Sequence, residues 1–155
     1  MLTQKITIKG VKVRGEIDQI YAHNAQTALV LPLNGSLVYA GGFSGMSEDW
    51  IEAEIDFNEQ FIRHPNTTFY ARIVSDSMEP EIHDGSFVIY DSSLEYTHGS
   101  LVVAVIDGGY VAKRYWRTPD GVELRSHNPA YAPIRITEGM ECEIKGKIIC
   151  TIREF

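Results

Sequence analysis

Cysteine is scarce in this chain: Cys142 and Cys150 are the only two among 155 residues. No Cys-x-x-Cys or His-x-x-x-His spacing accompanies them, which argues against a structural metal and leaves no basis for a disulfide framework. If one continuous strand carries both, their even separation puts the thiols on one face, too far apart to bridge. Two small buried thiols are therefore expected. Long apolar runs are missing as well. The longest, Leu101 to Ile106, is six residues, against the roughly 20 that a membrane-spanning helix needs. The opening Met-Leu-Thr-Gln-Lys-Ile-Thr-Ile-Lys-Gly alternates polar and apolar residues, so it does not read as a secretory signal, and a cytoplasmic protein is the default expectation. Positive charge is in deficit too: 14 Lys and Arg against 21 Asp and Glu give a net charge of −7. Direct binding to a nucleic-acid backbone needs clustered cations, so any link to DNA is expected to run through another protein.

What is present fits one domain with a sizeable core plus an appendage. Hydrophobic content of 44% and charged content of 23% are those of an ordinary globular protein. Over residues 1–46 the pattern reads as a strand-rich arm, with an extended segment around Gly10 (Ile6, Ile8, Val11, Val13) and short strands at Ala28 to Leu33 and Leu37 to Tyr39. The stretch from Ala40 to Ser47 holds three glycines and two serines in eight residues and reads as a linker. A short helix follows, with Asp56 and Glu59 spaced as a capping box and Pro65 as its stop. Beyond Thr67 the pattern is nearly all β, with strands expected at 68–74, 86–90, 100–106, 110–117, 121–126 and 141–153. Asp84-Gly85, His98-Gly99, Gly108-Gly109 and Pro119-Asp120-Gly121 punctuate them. Strands joined by tight turns without intervening helices predict a mostly β fold, a compact β domain over 47–155 carrying an extended N-terminal arm.

Within that domain, Ser77 and Met78 end the stretch Phe-Tyr-Ala-Arg-Ile-Val-Ser-Asp-Ser-Met (69–78), and Lys113 lies 36 residues after Ser77. A hydroxyl needs a neighbouring base to become a nucleophile, and a lysine can be that base once burial makes it give up its proton. With period two, Val111, Lys113 and Tyr115 face one way while Tyr110, Ala112, Arg114 and Trp116 face the other. Both faces are largely apolar and each carries one cation. Arg114 cannot act as a base because a guanidinium stays protonated. The remaining lysines (Lys5, Lys9, Lys12, Lys145, Lys147) lie near the chain ends. The bland alternative is a turn serine bonded to its own loop and a strand lysine whose ammonium snorkels to water.

Further stretches join this pair: Asp-Trp-Ile-Glu (49–52), Ile-Asp-Phe-Asn (55–58), His64-Pro65, Ser-Asp-Ser-Met (75–78), Asp-Gly-Ser (84–86), His98-Gly99, Asp-Gly-Gly-Tyr-Val-Ala-Lys-Arg (107–114) and Asn-Pro-Ala-Tyr-Ala-Pro-Ile (128–134). In this order, over about two thirds of the chain, they resemble the LexA and UmuD family of self-cleaving serine peptidases, its UmuD-like members most. The resemblance implies a LexA-like C-terminal β domain with Ser77 as nucleophile, Lys113 as general base, and backbone N–H groups of Ser77 and Met78 as the oxyanion site. It implies no metal or other cofactor. It also implies a scissile bond in the arm, at Ala40-Gly41 or, counted back from Asp49, at Gly41-Gly42. By the same resemblance the protein is a homodimer in the SOS response to DNA damage. A RecA filament on single-stranded DNA stimulates its cleavage, and the product serves a UmuC-like, error-prone Y-family DNA polymerase in translesion synthesis. Two departures stand out. Ser75 occupies a position that is usually glycine in the family, and the first 40 residues contain no helix-turn-helix of the kind the repressors carry. A non-enzymatic dimerisation module and a truncated phage-repressor domain are the alternatives.

Overall fold

Alternation and turn chemistry act together from residue 66 onward, and the chain there folds as expected. The computed structural model describes residues 11–22, 30–34 and 51–155. Its elements are β1 (Val11–Lys12), β2 (Ile17–Ala22), β3 (Val30–Asn34), β4 (Ile51–Asp56), α1 (Phe57–Phe61), β5 (Thr68–Ile73), β6 (Phe87–Asp91), β7 (Leu101–Ile106), β8 (Gly109–Thr118), β9 (Gly121–Arg125), β10 (Ile134–Arg135) and β11 (Cys142–Ile152). The six strands expected between 68 and 153 all form, each bound within a residue or so of its predicted place. The expected segment before Val11, the strand at Leu37 to Tyr39, the linker from Ala40 to Ser47 and both candidate scissile bonds lie outside the described residues.

The chain divides into two compact units, residues 1–23 with 66–155, and residues 24–65. In the first, nine strands form one sheet in the order β1-β2-β5-β6-β11-β7-β8-β9-β10, with every neighbouring pair antiparallel. The all-apolar β7 is buried on both faces, as a short continuous apolar run requires. Val103 belongs to a core cluster with Ile17, Ile73, Met78, Val88 and Ala112, while Val102 and Ala104 pack with Leu124 in a second cluster. The same alternation holds in β8, where Tyr110 and Ala112 face the first cluster and Val111 and Tyr115 the second. The β7–β8 hairpin turns at Asp107 (φ 47°) and Gly108 (φ 80°). Two successive left-handed residues match the twist of the flanking strands, and this turn sets the register that places Lys113 opposite Val102.

β2 lies outside the sequence expectation. Its two isoleucines, Ile17 and Ile20, are three residues apart, an odd spacing that should put them on opposite faces. The register against β5 shifts between Ile17 and Gln19, pairing Ile17 with Ile73 and Ile20 with Ala71. The extra residue restores both isoleucines to the core side. The bulged residue is Asp18, whose carboxylate pairs with the Arg72 guanidinium. In the second unit β3 and β4 form an antiparallel pair, followed directly by α1, whose last turn is extended by the Ile62 N–H donating to Asn58 O at 2.7 Å.

The cysteines depart from expectation. One strand, β11, does carry both free thiols, but each is half-buried rather than buried. Register shifts in the pairing between Ile144 and Gly146 and between Ile148 and Cys150 interrupt the alternation along this strand. Cys142 packs beside the second cluster, and Cys150 lines a cavity of about 200 Å³ with Ile82 and Ile148. Burial raises both thiols above the usual cysteine range. Among the described residues no helix is long and apolar enough to cross a membrane.

Candidate active site

Ser77 sits in the turn that follows β5, and Lys113 is the fifth residue of β8. The sheet brings them together. Lys113 Nζ lies 2.6 Å from Ser77 Oγ, and each residue is only 1% exposed. Lys113 therefore does not snorkel to water. Met78 beside it is 1% exposed and anchors the turn in the first core cluster. The turn is closed by the Glu79 N–H donating to Asp76 O at 3.1 Å and the Ile82 N–H donating to Met78 O at 3.0 Å.

A buried ammonium is costly unless it is paired or neutral. Burial lowers Lys113 below the ordinary lysine value, while a hydrogen bond and charge attraction from Glu16 oppose that shift. Glu16 Oε2 accepts from Nζ at 2.5 Å. This contact joins residues 97 apart in the chain, and the sequence reading did not include it. Arg114, the neighbouring cation of β8, is absorbed structurally. Its Nη2 donates to both oxygens of Glu81 at 2.5 and 2.6 Å and its Nη1 to Gly99 O at 2.6 Å.

The Asn-Pro-Ala-Tyr stretch acquires a structural role. Asn128 holds the Ser77 turn twice: its N–H donates to Ser77 O at 2.9 Å and its Nδ2 to Asp76 O at 3.1 Å. Its own Oδ1 accepts from the Ala130 N–H at 3.0 Å, which shapes the loop locally. The Tyr131 hydroxyl donates to Asp76 Oδ1 at 2.5 Å, and Lys113 Nζ stands 6.0 Å from the centre of the Tyr131 ring. The Asp76 hydrogen bond, helped by burial, pushes the Tyr131 phenol up. His127 Nδ1 lies 2.9 Å from Glu81 Oε2. Burial works to raise the Glu81 carboxyl, but hydrogen bonds from Arg114 and His127 outweigh it and hold it below the carboxylate range. The loop before β10 is thus tied to both ends of the Ser77 turn.

The Ser77 N–H donates to Ser75 Oγ at 3.1 Å. The hydroxyl that replaces the usual glycine hydrogen therefore occupies a donor that the sequence reading reserves for an oxyanion. Among the described residues no group of three or more His, Cys, Asp or Glu side chains is arranged to hold a metal.

The family model for Peptidase S24-like proteins matches residues 32–149. The chain is 36% identical to protein MucA of Salmonella typhimurium over 81 residues, covering 52% of this chain and 56% of that protein. It is 36% identical to protein SamA of Salmonella typhimurium strain LT2 over 91 residues, 58% of this chain and 64% of the relative. To the LexA repressor of Syntrophotalea carbinolica it is 34% identical over 88 residues, 56% of this chain and 44% of the repressor. The matches thus span between 44% and 64% of these relatives' lengths. Since the family match runs over most of the sequence, the chain belongs to the Peptidase S24-like family, as a UmuD-like member of its LexA and UmuD group.

Proposed function

We propose that this chain is a self-cleaving serine peptidase with Ser77 as nucleophile and Lys113 as general base. The observation that carries the reading is the 2.6 Å contact between Ser77 Oγ and Lys113 Nζ at a buried position. Ser77 Oγ attacks the scissile carbonyl carbon and passes its proton to neutral Nζ. The carbonyl oxygen, now negative, takes hydrogen bonds from the Ser77 and Met78 N–H groups, which requires the Ser75 hydroxyl to turn away. Collapse of the tetrahedral intermediate breaks the C–N bond, and the ammonium returns its proton to the leaving amine. Water then attacks the acyl ester, gives a proton to Nζ, and Ser77 Oγ recovers that proton as the new carboxyl leaves. Lys113 ends as it began, neutral.

The substrate bond is Ala40-Gly41 or Gly41-Gly42 of the same protein, where a glycine lets an extended backbone approach a crowded site. The cleaved product is the accessory subunit of a UmuC-like Y-family DNA polymerase in SOS mutagenesis. The protein works as a cytoplasmic homodimer, and a RecA filament on single-stranded DNA is the stimulus. Family membership and the likeness to MucA, SamA and LexA support these steps.

The test is intact mass over time for the wild-type chain, Ser77→Ala, Lys113→Ala and Lys113→Arg, at neutral and alkaline pH. Loss of about the first 40 residues by the wild type alone, faster at high pH, is the expected result. The arginine variant should be as inactive as the alanine one. If the wild type stays whole even with an activated RecA filament, the peptidase reading fails and the non-enzymatic interaction module takes its place.

A further inference from the structure

Glu16 reaches the dyad from upstream of the candidate scissile bonds, and its backbone is fixed there. Its N–H donates to Tyr110 O at 2.7 Å, its carbonyl accepts from the Val74 N–H at 2.9 Å, and the Tyr110 N–H donates to Arg14 O at 2.7 Å. The segment therefore bridges the end of β5, which leads to Ser77, and the start of β8, which carries Lys113. Gly15 makes the bridge possible. Its φ is +110°, and a Cβ there would stand 2.3 Å from Tyr110 O, so only glycine lets the two backbones come this close. Ile17, 0% exposed, pins the other side.

We propose that Glu16 is a positioning residue that locks the Ser-Lys dyad, holding the Lys113 ammonium in its protonated form for as long as its carboxylate stays on Nζ. This rests on the peptidase reading above. An ammonium can only donate, so with Glu16 engaged Nζ donates to Ser77 Oγ. Catalysis needs the opposite polarity, with the Oγ–H pointing at a nitrogen lone pair. Charged and titratable groups around Nζ are few. Glu16 comes from the segment before β2, Tyr131 faces Nζ from the loop before β10, and Asp76 stands behind Tyr131 at the head of the nucleophile turn. Ser77 is neutral, and the partner across β7 is Val102. Glu16 is the sole carboxylate in direct contact with Nζ among the described residues. Burial already favours the neutral amine, so withdrawing that carboxylate leaves nothing adjacent to keep the proton on.

The experiment uses the full chain and two graded substitutions, Glu16→Gln and Glu16→Asp. Gln keeps the shape and removes the charge, whereas Asp keeps the charge and draws it back by one carbon. In a Ser77→Ala background, which cannot cleave, the Lys113 titration midpoint is read from side-chain ¹³C and ¹⁵N resonances, assigned by their loss in Lys113→Arg. The midpoint should fall in the order Glu, Asp, Gln. With Ser77 present, cleavage at neutral pH should rise in the same order, by about tenfold for each pH unit of midpoint lost. A flat or reversed order of midpoints, or slower cleavage by a Gln variant that keeps the fold, overturns the lock. If no chain cleaves at any pH, the peptidase reading falls, and the titration order still decides whether Glu16 holds the proton.

Discussion

Ile17→Ala tests whether the segment upstream of the candidate scissile bonds is built into the unit that holds Ser77 and Lys113. The substitution is best made together with Ser77→Ala, so that self-cleavage cannot intervene. Ile17 is 0% exposed and pairs with Ile73, itself 1% exposed, in the cluster that also holds Met78. Truncation removes three carbons, and at about 0.8 kcal/mol for each buried methylene the transfer loss alone is about 2.4 kcal/mol. The cavity adds to this. The strand on one side is fixed by its ladder to β5 and the chain on the other by the Gly15–Tyr110 bridge, so little collapse is available. A total loss of about 3–4 kcal/mol is expected, within the range for Ile-to-Ala changes in cores. Urea unfolding followed by circular dichroism measures it as a lower midpoint at unchanged slope. Ile152→Ala is the control: that side chain is 49% exposed, and its truncation should stay within about 0.5 kcal/mol. A loss under about 1 kcal/mol for Ile17→Ala would mean that β2 is not part of the core in solution. Glu16 would then have no fixed backbone from which to act.

Ser75→Gly should speed self-cleavage, because the Ser77 N–H would no longer be spent on Ser75 Oγ. One ordinary hydrogen bond of about 1 kcal/mol corresponds to about a fivefold gain, and the pH midpoint should not move, which separates this effect from that of Glu16. An unchanged rate would show that this donor does not limit the reaction. Lys113 also couples stability to pH. Its folded value is lowered from the ordinary 10.5 by burial, so between the two values the unfolded chain binds more protons and stability rises with pH. In the Ser77→Ala chain, Lys113→Met should flatten that rise, and a slope that survives the substitution would assign it to another group.

Legibility in the sequence followed the range over which each signal acts. β5, β6, β7, β8, β9 and β11 were legible because apolar alternation and Gly-containing turns are local and here agree with the tertiary fold. β2 was not, since a single bulge at Asp18 turns two isoleucines of odd spacing toward one core, and a period-two template cannot register them. β10 is two residues long, too short for any periodicity.

The site divides along the same line. Ser77 and Lys113 are paired at the level of sequence by the resemblance of the surrounding motifs to the LexA and UmuD family; their types and spacing alone leave a loop serine and a snorkelling lysine open. Glu16 had no such mark. In Arg14-Gly15-Glu16-Ile17-Asp18 it reads as one of several solvated charges, and its partner lies 97 residues away. The local trace that could have drawn notice is Gly15, placed immediately before a carboxylate and an isoleucine, where a close backbone approach demands a residue without Cβ. A buried lysine also needs a counter-charge, and nothing local to Lys113 in the sequence says where it lies. Burial and proximity oppose each other at Nζ: the first lowers the lysine from its ordinary value and the second, through Glu16, raises it. Whether Lys113 can act as the base proposed for it therefore turns on whether the Glu16 carboxylate stays on Nζ, which the Glu16→Gln and Glu16→Asp titrations decide.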